Sequence, residues 1–178
     1  MISDTKPQNI LIVATIVIGL ISGFGLASSA AWYSGSYSIV RYLEVDMTEI
    51  RVGNFGLENM SLTVTFKVEA PSIQTGEAQI TFFRMVVYLN GESFSYTTFQ
   101  RSVPLELRTV TPAYNHTFGV GSTILSEIDR QIILDASAAE EWVFSVGLTV
   151  FYDIFESPGD QVRQIAYSYN GTPLGVPL

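Results

Sequence analysis

Hydrophobic positions follow two different patterns along this chain. Ile10 to Ala31 (ILIVATIVIGLISGFGLASSAA) is almost wholly apolar or small, and no charged side chain lies between Lys6 and Arg41. A helix rises about 1.5 Å per residue and a hydrocarbon core is about 30 Å thick, so about 20 such residues cross it. The run predicts one transmembrane helix over residues 10–33, behind a cytoplasmic head at 1–9. A cleaved signal peptide is the main rival, but its apolar region is about 7 to 15 residues long, shorter than this one. A class III pilin-type leader also fits in outline, although Lys6-Pro7-Gln8-Asn9 lacks the expected cleavage point.

Past Arg41 the pattern alternates. Leu62, Val64, Phe66 and Val68 share one face of Ser61 to Glu69, the signature of a half-buried strand. Ala78 to Leu89 places Phe83, Met85, Val87 and Leu89 together, so that Arg84 either points outward or marks an irregularity near Phe82-Phe83. Asn90-Gly91 then predicts a type I′ hairpin into Glu92 to Gln100, because both residues accept positive φ. Further strands are expected at Thr48 to Phe55, Arg108 to Val110, Tyr114 to Val120, Glu141 to Ile154 and Gln161 to Tyr169. In Ser122 to Ala139, Ile124, Ile128, Ile132 and Ala136 recur every four residues, with Leu125 and Ile133 beside them. That spacing predicts an amphipathic helix capped by Ser122 or Ser126, with Glu127, Asp129 and Arg130 facing away from the core.

About seven short strands and one helix predict an Ig-like antiparallel β-sandwich over residues 42–170. Ser34 to Ser38 (SGSYS) makes 34–41 a short linker, and the uncharged residues 171–178, with two prolines, form an extended tail. That tail is either frayed or available to a neighbour by strand addition.

Composition removes several chemistries. The 178 residues include no cysteine and one histidine, which excludes disulfides, iron–sulfur clusters and thiolate zinc sites. A net charge of -8 without a basic cluster disfavours nucleic acid. His116 lacks a nucleophile signature nearby and reads as a surface histidine. Asp153, Glu156 and Asp160 around Ser157-Pro158-Gly159 are a weak calcium candidate, set against the commoner solvated turn. Glu140-Glu141 and Asp46 with Glu49 read as acidic surface rather than as a glycosidase pair. No cofactor, resident metal or catalytic group is expected.

The remaining signals concern location and partners. Asn59, Asn115 and Asn170 each begin an N-x-S/T sequon, which suits an exterior face, although Pro173 weakens the last. Together with Lys6 in the head and Trp32, Tyr33 and Tyr37 at the far flank, they predict a single-pass cell-membrane protein with its C-terminal domain extracytoplasmic. Gly19-x-x-x-Gly23 would let another span approach. The expected partners are the lipid bilayer and other surface or membrane proteins, a second copy of this chain included. Phe94, Tyr96, Phe99 and Tyr88 are either sheet-stabilising aromatics or a binding stripe.

The order of elements resembles the WHy domain (water stress and hypersensitive response) of class 2 late-embryogenesis-abundant proteins. Met60 to Ala70, the break at Pro71, Ile80 to Val87-Tyr88-Leu89-Asn90-Gly91, the Leu125 to Ala139 helix and the Trp142 to Ile154 strand carry the resemblance. Where that family has Asn-Pro-Asn, this chain has Ala70-Pro71-Ser72. The resemblance implies a non-catalytic sandwich, often behind a membrane anchor, with a protective or interaction role. By architecture alone the chain is also similar to anchored sandwiches of archaeal surface filament machinery. The expected function is therefore a surface structural or protein-interaction module. A filament or membrane-complex subunit is the first alternative, and a small-ligand or sugar-binding domain using Tyr88, Tyr96 and the Asp153 loop is the second.

Overall fold

The computed structural model describes residues 6–72, 75–95, 99–154 and 161–177. Helix α1 (Lys6–Arg41) leads into strands β1 (Glu44–Gly53), β2 (Ser61–Glu69), β3 (Ala78–Leu89), β4 (Glu92–Ser93) and β5 (Gln100–Ser102). A helical turn α2 (Leu105–Arg108), β6 (Thr109–Val110), β7 (Asn115–Thr123), α3 (Glu127–Ala139), β8 (Val143–Asp153) and β9 (Gln161–Asn170) follow. The chain is mainly β, and every strand ladder among the described residues is antiparallel.

Among the described residues the strands form two sheets. One has the order β1-β2-β7; the other runs β4-β3-β8-β9, with β5 and β6 also paired to β3. Their inward residues share one core: Phe83 of β3 meets Phe118 of β7 at 5.0 Å, and Phe66 of β2 meets Tyr167 of β9 at 5.7 Å. The alternation in β2 and β3 therefore reports a face toward the other sheet. Thr81 is the extra residue of a bulge between Ile80 and Phe82, one or two positions before the site offered from sequence as one alternative, and Arg84 is exposed, as the other had it. The bulge shifts the alternation so that Ile80 and Phe83 both turn inward. Asn90 and Gly91 have φ of +53° and +87°, as a type I′ turn requires.

Four expectations are corrected. Residues 34–41, linker-like by composition, are the last two turns of α1. Ser36 and Ser38 donate to the carbonyls of Trp32 and Ser34, so their hydroxyls are satisfied inside the helix, while Ile39 and Val40 enter the core. The helix expected from Ser122 starts at Glu127, because β7 continues to Thr123 by pairing with β2. Its N-cap is Ser126, whose side chain accepts from the Asp129 amide. The helix is also rotated from the expected face: Ile128 is 74% exposed and Leu125 in the preceding link 85%, while Asp129 is 5% exposed. Finally, the Glu92 to Gln100 strand divides into β4 and β5; Phe94 and Phe99 turn into the core and meet edge to face at 5.9 Å.

Candidate functional site

The most elaborated region is the junction of α1 with the sheets. Two glycines allow it. A Cβ on Gly35 would lie 1.9 Å from the Thr75 carbonyl oxygen, and Gly76, at φ +121°, would bring its own Cβ to 2.4 Å from the Gly35 carbonyl carbon. Backbone therefore meets backbone where any other residue would force separation. The fully buried Ser36 hydroxyl donates to Trp32 O at 3.0 Å and accepts from the Glu77 amide at 2.8 Å. Ile39, Val40 and Leu43 complete the seam from the apolar side.

Beside this seam lies a cleft of about 170 Å³ lined by Tyr37, Val40, Arg41, Tyr152, Ile154, Gln161 and Arg163. Arg41 leans over the ring of Tyr42, 5.4 Å from its centroid. Arg163 donates to the carbonyl of Leu43. Four residues further along β9, on the same face, the Tyr167 hydroxyl donates to Val45 O. Burial, with a contribution from the Asp46 carboxylate against an opposing one from Arg163, pushes the Tyr167 phenol up to about 12, so it remains a donor over the working range.

Along the same edge, residues 171–177 fold back beside β1. The Leu174 amide donates to Ile50 O at 2.9 Å, and the Val52 amide to Leu174 O at 2.8 Å, forming a parallel bridge at Arg51. Gly175, at φ +89°, fits because it has no Cβ; one built there would lie 2.1 Å from Val52 O. Pro173 is buried there. The strand-adding capacity read in the tail is thus directed at its own sheet, on an edge strand whose polar groups otherwise invite foreign chains.

The other sequence candidates are scattered. Asn59, Asn115 and Asn170 are exposed, and Asn115 donates to Glu69 at 2.9 Å. Of the calcium candidates, Asp153 is on β8, whereas Glu156 and Asp160 lie outside the described residues. No group of three or more metal-binding side chains gathers among the described residues. Tyr88 is 43% exposed, and Tyr96 falls outside the described residues. Tyr88 pairs with Ser145 and Asp153 with Gln79, so the two stand eight residues apart along β8, about 27 Å by strand rise. They cannot line one pocket. His116 is half-buried, its ring 4.7 Å from that of Phe118. Glu49 pairs with Arg51 at 2.8 Å and Glu140 closes α3. Among the described residues nothing lies against Gly19 or Gly23 from another part of the chain.

Sequence reasoning missed the cleft and the tail bridge. Arg41, the first charge after the long uncharged run, was the available signal for the cleft; Gly175, beside Leu174, was the one for the bridge.

No family model matches the chain, and no curated protein matches it significantly. Solved structures do align. A protein from Archaeoglobus fulgidus aligns at 13% identity and TM-score 0.45, covering 74% of this chain and 99% of that one. An Arabidopsis thaliana protein aligns at 12% and 0.45, covering 74% and 81%. A solution structure assigned to the late embryogenesis abundant (LEA) proteins aligns at 11% and 0.41, covering 91% and 89%.

Proposed function

We propose that the chain is a single-pass membrane protein whose extracytoplasmic domain is an Ig-like β-sandwich of WHy type, acting at the cell surface as a structural or protein-interaction module. One observation carries this reading. α1 is long and apolar enough to cross a bilayer, none of its apolar stretch is buried against the rest of the chain, and yet its last turns are built into the domain without a break. A helix exposing Ile10, Leu11, Leu20, Ile21 and Phe24 needs an apolar environment that the sheets do not provide. The Gly35–Gly76 seam then holds the sandwich close to the bilayer at a set angle, which suits a surface display module and has no evident use in a freely tethered domain.

The absence of native cysteine makes topology directly testable. With single substitutions Ser3→Cys and Thr172→Cys, a membrane-impermeant maleimide should label Thr172→Cys on intact cells and Ser3→Cys only after permeabilisation. The reverse order, or release of the protein by alkaline carbonate, would overturn the reading.

The filament or membrane-complex alternative draws on Gly19 and Gly23, whose open face in α1 is available to a second span. Gly23→Ile should abolish any oligomer that depends on that face.

A further inference from the structure

We propose that the cleft between the end of α1 and the β8–β9 corner binds the phosphate of an anionic lipid head group in the outer leaflet. The proposal rests on the membrane reading above and adds a ligand to it.

Charge is the first ground. The chain has nine Lys and Arg in all, and most have partners within the fold. Arg51, Lys67 and Arg130 pair with Glu49, Glu69 and Glu127. Arg101 and Arg108 donate to the carbonyls of Gly119 and Val103, and Arg84 lies over Phe151. Arg41 and Arg163 line one cleft, and neither has a carboxylate partner among the described residues. Nor does any carboxylate among the described residues line that cleft. In a protein of net charge -8, two guanidiniums sharing a concavity with no acid among its described lining residues are arranged for an anion from outside.

The lining chemistry fits phosphate. Each guanidinium presents several donors in a planar fork that matches phosphate oxygens in pairs. Arg163 uses one nitrogen on Leu43 O. The hydroxyls of Tyr37 and Tyr152 and the Gln161 amide supply further donors, while Val40 and Ile154 form an apolar wall. The carbonyl end of α1 opposes an anion with about half a charge, less than the two full positive charges facing it. At about 170 Å³ the cleft is smaller than the several hundred Å³ of drug-sized pockets, and suits one head-group phosphate with its ester carbons.

Height is the third ground. The head-group layer is about 5–8 Å deep on each side of the hydrocarbon. Tyr37 lies four residues past Tyr33, about 6 Å further along the axis. Arg41 is another turn up, about 12 Å past Tyr33 by helical rise, with its guanidinium over the ring of Tyr42. The Tyr37 side of the cleft therefore lies at head-group level, with Arg41 just above it.

The test uses the full-length protein in detergent, transferred to nanodiscs of phosphatidylcholine containing phosphatidylglycerol, with native mass spectrometry of the lipid that stays bound. One phosphatidylglycerol should be retained in preference to phosphatidylcholine, and Arg41→Gln should lower that preference about tenfold, the loss of one charge-assisted pair of bonds. Arg84→Gln, which removes an equal charge from the β3 face, should leave the preference unchanged. An equal fall in both variants would show general charge attraction and overturn the site. Displacement of the lipid by millimolar inorganic phosphate would overturn the lipid as the source of the anion. Insertion without any preference would overturn the proposal alone, whereas failure to insert would overturn the membrane reading itself.

Discussion

At the scale of single residues, two hydroxyls join parts of the chain that lie far apart in sequence. The Ser36 hydroxyl satisfies the Glu77 amide in a buried seam. Ser36→Ala leaves that amide without a partner and should cost about 1–3 kcal/mol, seen as a lower thermal midpoint in detergent. A loss below a few tenths of a kcal/mol would mean that water replaces the hydroxyl. Tyr167 links β9 to the carbonyl of Val45. Its folded pKa, about 12, is above the ordinary 10, so the protonated phenol favours the fold. That contribution is whole below pH 10 and is lost as pH rises from 10 through 12. Urea titrations across that range should show a stability decline that Tyr167→Phe removes. A decline of equal size in the variant would assign it to another group.

At the scale of elements, caps and edges decide where structure stops. α3 ends on Glu140 in the left-handed region, at φ +54°, with its amide donating to the carbonyls of Ala136 and Ser137. Glycine takes that conformation without the Cβ clash, so Glu140→Gly should stabilise the domain by about 0.5–1 kcal/mol in chemical denaturation. A destabilised variant would mean that the Glu140 side chain has its own role. The β1 edge depends on the returning tail. Removing residues 171–178 takes away the acceptor of the Val52 amide, so hydrogen exchange at Val52, slow in the intact protein, should become fast. The freed edge should also promote concentration-dependent association. Continued protection of Val52 would mean that the bridge contributes little in solution. The rotation of α3 has a cause at this scale as well. The Asp129 carboxylate, third in the helix, accepts from the Ser95 amide at 3.3 Å, and Arg130 reaches Glu58 O at 3.1 Å; those contacts turn Ile128 outward.

At the scale of the whole molecule, the helix and the sheets form one continuous body through the seam at Gly35 and Gly76. If the domain is extracytoplasmic, its loops meet the glycosylation machinery. Passed through a secretory pathway that modifies sequons, the protein should gain a glycan at Asn59, in the exposed loop between β1 and β2, whereas Asn170, with Pro173 close behind, should stay bare. Peptide mass spectrometry reads each site separately. Unmodified Asn59 and Asn115 together would count against the exterior placement.

The strands and their buried faces were legible in the sequence because burial imposes a period of two, and a residue's own neighbours reveal it: Leu62 to Val68 and Phe83 to Leu89 are buried in the alternation they spell out. The Asn90-Gly91 turn and the length of the apolar helix were legible for the same reason, since positive φ and bilayer-spanning length are local properties. The helical course of Ser34 to Arg41 was not. Its polar composition describes a linker until Ser36 finds Glu77, forty-one positions away, and Gly35 finds Thr75. The same holds for the cleft, whose two arginines are 122 positions apart in the chain, and for the tail, which pairs with a strand begun 130 residues before it. Local sequence determined which segments became helix and strand and which faces were apolar. Only the tertiary structure decided what those faces met, because the partners of Ser36, Arg163, Leu174 and Asp129 are set by chain packing over long separations.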